Sequence, residues 1–116
     1  MYTAATANRS RVNRANSYVV NSVLETTPEK LIMKVYDFAI AKCKARDLEK
    51  TNSALNELIF ALNYDTDEVR EISLGLLKLY KFCQDQMRKR NYGVVEKILS
   101  DLREAWLDVL KQQGKL

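Results

Sequence analysis

Helical periodicity constrains this chain more than any other feature. Apolar residues return every three or four positions through four successive stretches, and little interrupts them: the 116 residues include three glycines and one proline. A β-rich fold needs far more turn punctuation than that. The first stretch opens with Thr27, an N-cap type, then Pro28 at the first helical position and Glu29 in the first turn. It runs from about Pro28 to Lys44, with Leu31, Ile32, Val35, Tyr36, Ala39, Ile40 and Cys43 on one face. A second helix starts near Asp47 and reaches about Asn63. Leu48, Leu55, Leu58, Ile59 and Leu62 form its seven-residue repeat, and Thr51 and Asn52 fill one apolar slot. The turn-forming run from Asn63 to Asp67 leads to a third helix, capped by Thr66 or Asp67. Val69, Ile72, Leu76, Leu79, Tyr80, Cys83 and Met87 share one of its faces. Asn91-Tyr92-Gly93 breaks it. A fourth helix carries Val95, Ile98, Leu99, Leu102, Ala105, Trp106, Val109 and Leu110 before a polar tail. Four amphipathic helices with short connections predict an all-α, antiparallel up-down four-helix bundle with an N-terminal extension. Leu31, Val35, Leu58, Leu76, Leu99 and Leu102 are expected to be buried.

The size fits one domain, expected over residues 18–113, behind a basic and disordered tail at 1–17. Residues 1–24 hold Arg9, Arg11 and Arg14 and no acid, which accounts for three of the net +4 charges. Three arginines without a recognised fold are a weak nucleic-acid footprint. An RNA-binding domain using them together with Arg88-Lys89-Arg90 is therefore the weakest alternative. No apolar run approaches the roughly 20 residues of a membrane span, and no secretory h-region is visible, so the expected location is cytoplasmic. Cys43 and Cys83 sit inside helical apolar patterns and read as reduced core thiols.

The chain has no histidine. That removes the usual chemistries of a small helical bundle: a phosphotransfer histidine, a di-metal site of Glu-x-x-His pairs, or an Arg-x-His nuclease. No glycine-rich phosphate loop or nucleophile elbow appears either. No enzymatic activity, metal or cofactor is expected.

Some apolar residues lie off or at the margin of the stripes: Met33, Phe38, Phe60, Leu74, Leu77, Phe82 and Leu107. Either the core is wider than the stripes, or a second apolar surface receives another chain, the N-terminal segment, or a second copy.

The run from Tyr18 to Ile40 resembles the opening of the flagellin-specific secretion chaperones, the FliS family. The matching letters are Tyr18, Asn21, Val23, Leu24, Thr26, Thr27, Pro28, Lys30, Leu31, Val35, Tyr36, Asp37, Ala39 and Ile40. Asp47-Leu48-Glu49-Lys50-Thr51-Asn52, Leu79-Tyr80 and Leu102-Arg103-Glu104-Ala105-Trp106 are similar to later family segments, in the same order. About one heptad is missing at each of three places, which implies a shorter bundle with its core register kept. Phe38 stands where the family has a small residue. The resemblance implies a non-enzymatic cytoplasmic bacterial chaperone. Its client would be the disordered C-terminal segment of flagellin, kept from polymerising and ready for flagellar type III secretion, with the export gate as a further partner; a homodimer is suggested separately, by the second apolar surface. Candidate groove residues are Met33, Tyr36, Phe38, Phe60, Leu74, Leu77 and Phe82. Tyr18, Val19, Val20, Val23 and Leu24 form an apolar cluster in a polar lead-in, suited either to a displaceable lid or to a helix packed permanently on the bundle. The alternative is a helical scaffold or self-associating module that binds another protein helix.

Overall fold

The computed structural model describes residues 28–115. These form four helices: α1 (Pro28–Lys44), α2 (Leu48–Phe60), α3 (Asp67–Arg88) and α4 (Tyr92–Gln112). Two starts are fixed by the expected caps. Asp47 accepts a hydrogen bond from the Lys50 backbone N–H at 3.0 Å, and Thr66 accepts one from Val69 at 3.2 Å. Thr27, the expected cap of α1, lies outside the described residues. Two boundaries differ from expectation. The second helix stops at Phe60, short of Asn63, and Tyr92 and Gly93 open α4 while residues 89–91 make the break. A glycine in a first turn disturbs a helix less than one in its middle, which is why Gly93 fits there.

Cross-links between helices set the direction of the pairs. Lys44 meets Glu96, Asp37 meets Arg103 and Glu29 meets Lys115, so α1 and α4 run oppositely. Asn63 pairs with Ser73 and Asn56 with Gln84, so α2 and α3 do as well. Short links at 45–47 and 89–91 close one end of the bundle; the link at 61–66 lies at the other. The result is the up-down-up-down bundle expected.

The core is sealed at the end of the two short links. Cys43, Thr51, Leu55, Cys83, Met87, Val95 and Leu99 have no exposed surface there. Fully burying one aliphatic side chain of this kind is worth roughly 1.5–3 kcal/mol. Thr51 fills its apolar slot at a cost: its hydroxyl is buried with no hydrogen-bond partner.

Toward the opposite end burial thins. Leu58 and Leu99 are buried as expected, but Val35, Leu76 and Leu102 are only half-buried and Leu31 is exposed. Leu31 stands five positions before Tyr36, roughly 140° around the helix from that fully buried side chain. Met33 takes the inward place instead and is 7% exposed. Ile72, on the stripe of α3, is 62% exposed.

Candidate functional site

The thinning of the core has a definite shape. Where the start of α1, the end of α2, the start of α3 and the end of α4 come together, they surround a groove of about 480 Å³. Its walls are Ile32, Leu58, Leu62, Val69, Ile72, Leu76, Trp106 and Leu110, with Pro28, Glu29, Asn63 and Gln113 at the edges and Tyr80 among the lining residues. The sequence places small residues at this end: Ala61 and Ser73 also line the groove. Ser73 points its hydroxyl at the backbone carbonyl of Asn63, 2.5 Å away, which ties the 61–66 link to α3. A larger residue at Ser73 would fill part of the space.

Tyr80 belongs to a polar trio. Its hydroxyl oxygen lies 2.5 Å from that of Tyr36, and the Trp106 indole N–H donates to Tyr36 Oη at 3.1 Å. Tyr36 and Tyr80 are 0% and 2% exposed. Burial raises both phenol pKa values, for Tyr36 reinforced by the neighbouring Tyr80. Both hydroxyls therefore stay protonated and able to donate at neutral pH.

The residues proposed from sequence do not gather at one place. Met33 and Tyr36 are buried in the core, and neither lines either hollow. Phe38 is 45% exposed and lines a smaller hollow of about 240 Å³ between α1 and α2, beside Val35, Ala54 and Glu57. Lys42 stands 5.4 Å over its ring. Phe60, Leu74 and Phe82 are exposed and Leu77 half-buried, and none of the four lines either hollow. Tyr18, Val19, Val20, Val23 and Leu24 lie outside the described residues. The large groove is built instead from side chains that stripe reasoning assigns to the core. The available signal was the pair of small residues, Ala61 and Ser73, at one end of otherwise bulky stripes.

Among the described residues no cluster of histidine, cysteine, aspartate or glutamate is arranged to hold a metal, and no helix is long and apolar enough to cross a membrane. No protein-family model, curated protein or solved structure matches the chain.

Proposed function

We propose that this protein is a non-enzymatic binding module of the bacterial cytoplasm whose groove receives an apolar segment of another protein, and that its client is the C-terminal region of flagellin. One observation supports a binding role: the core stays open at one end, leaving Ile72 62% exposed on the wall of an apolar groove fed by all four helices. Such a groove can bind a disordered, amphipathic segment by burying the apolar face that forms on binding. The flagellin assignment rests on the resemblance of residues 18–40 and of the three later segments. In this reading the groove protects the client from polymerising before export.

Pro28 and Glu29 line the groove, so the segment before them joins the bundle at its rim. Tyr18, Val19, Val20, Val23 and Leu24 then act as a lid that competes with the client.

The test is calorimetry with a synthetic peptide covering flagellin's C-terminal region. Expected are about one peptide per chain and a negative heat-capacity change, since apolar area is buried and the peptide folds. Ile72→Asp should weaken binding by roughly tenfold or more, because it places a charge in the groove, and should change stability little. No heat and no competition from full-length flagellin would reject the client.

A second reading, a self-associating scaffold, draws on Leu74 and Phe82, both nearly half exposed on α3 and roughly 80° apart around it. Sedimentation at rising protein concentration separates the two readings.

A further inference from the structure

Three hydrogens and two oxygens meet beside the groove. The Trp106 N–H donates to the Tyr36 hydroxyl oxygen, and the hydroxyls of Tyr36 and Tyr80 share a single hydrogen bond. One phenolic proton is therefore left over. If Tyr80 donates to Tyr36, both acceptor positions of the Tyr36 oxygen are used. The surplus proton is then that of Tyr36, which has no exposed surface and does not line the groove. If Tyr36 donates to Tyr80, the bonds run in one direction, from Trp106 through Tyr36 to Tyr80. The surplus proton is then that of Tyr80, which lines the groove. A buried donor without an acceptor is costly. Of the two tyrosines only Tyr80, itself 2% exposed, borders the groove, so the second arrangement is favoured: it puts the surplus proton on the groove-lining residue.

We propose that the Tyr80 hydroxyl is the groove's polar anchor and donates a hydrogen bond to a backbone carbonyl of the segment that occupies it. This deepens, and rests on, the reading of the groove as a peptide-binding site. It also narrows the occupant. Inside a helix every carbonyl already accepts from the residue four positions on, whereas the last four carbonyls of a helix have no such partner. The apolar walls and the single donor together fit the C-terminal turn of an amphipathic helix better than its middle. Burial of Tyr80 sharpens the selection, because an occupant that brings no acceptor leaves the proton unpaired in an apolar site.

Trp106, the only tryptophan of the chain, lines the groove and reports its occupancy by fluorescence. Titration with the synthetic flagellin C-terminal peptide should show Tyr80→Phe binding roughly five- to tenfold more weakly than the wild type, the worth of one neutral hydrogen bond. Tyr36→Phe is the control for general damage. It breaks the same buried trio but leaves Tyr80 its proton, so it should lower stability at least as much and binding less. A thioamide scan of the peptide on the unmodified protein removes any concern about folding, because sulfur is the poorer acceptor. One position near a helix C-terminus should weaken binding to the wild type and leave binding to Tyr80→Phe unchanged. Equal affinity of wild type and Tyr80→Phe, or a scan in which no position matters, overturns the anchor while the peptide reading stands. A wild-type protein that gives no isotherm overturns the peptide reading and the anchor with it.

Discussion

Cys43 directs its thiol at the backbone carbonyl of Tyr92, 3.3 Å away, and so fastens α1 to the first turn of α4. Met87 closes the site from α3, with its sulfur 3.8 Å from that of Cys43. Cys43 and Cys83 are both free and fully buried. Burial raises both thiols, and Cys83 is pushed up to about 11, with Cys43 as a second cause. Each should therefore resist a thiol reagent at neutral pH in the folded protein. Labelling should proceed at the rate of unfolding and accelerate in urea; fast labelling without denaturant would contradict the burial.

The same groups fix the direction of pH dependence. The folded state holds these protons above the ordinary thiol value of 9.0 and phenol value of 10.0. The unfolded chain releases them first, so it binds fewer protons and stability falls as pH rises. The thiol contribution is intact below about pH 9 and is lost between there and about pH 11. The tyrosines extend the loss to higher pH. Urea unfolding at neutral pH and at about pH 10.5 measures this, and Tyr36→Phe should make the alkaline decline shallower.

Leu99→Ala and Leu76→Ala should differ. Leu99 is sealed in the closed end of the core, so its truncation leaves a cavity and costs about 2–5 kcal/mol. Leu76 is half-buried on the wall of the groove, where little new cavity forms, and should cost about 1–2 kcal/mol. Chemical denaturation of both variants makes the comparison; equal losses would mean that the groove is closed in solution.

Arginine occupies the left-handed position of both turns at the closed end: Arg46 has φ 59° and Arg90 φ 63°. The turns share one hydrogen-bond pattern. Asp47 N–H reaches back to Lys42 O and Asn91 N–H to Gln86 O, each at 2.9 Å. A side chain in that conformation costs roughly 1–2 kcal/mol, most of which glycine avoids. Arg90→Gly should therefore raise stability by about 1 kcal/mol. Arg46→Gly should gain less, since the guanidinium stands 5.7 Å from the Tyr92 ring and that contact is lost. Thermal melts of the two variants give the order directly.

For the segment before Pro28, deleting residues 1–17 should change peptide affinity little, because that part is polar. Changing Tyr18, Val19 and Val20 together to serine should raise affinity by up to the inverse of the uncovered fraction if the segment only competes. Calorimetry on both variants decides. A fall in affinity would mean that the segment touches the client, and unchanged affinity with a large loss of stability would mean that it is permanent core.

The helices and the caps at Asp47 and Thr66 were legible in the sequence because each is a local matter: a periodicity and a side chain reaching its own first turn. Burial along a stripe was not. Ile72 and Leu55 are equally apolar and both lie on their helix's stripe, yet one is mostly exposed and the other has no exposed surface. The difference lies in the neighbouring helices, since Ile72 faces an open space that small residues at Ala61 and Ser73 help to leave. Met33 shows the reverse. It stands off the stripe drawn through Leu31, but helix rotation set by the partners turns it inward. The Tyr36–Tyr80–Trp106 trio joins residues far apart in the chain, so no local pattern announces it.

α1 and α4 run side by side, linked by Lys44–Glu96, Asp37–Arg103 and Glu29–Lys115 in succession along their shared seam. Pro28 and Gln113 both border the groove, so the two outer ends of the bundle lie together. Tension applied to those ends would load the seam one link at a time, as a zip opens, instead of shearing all three at once. Glu29–Lys115, the link at the groove end, would take that load before the other two.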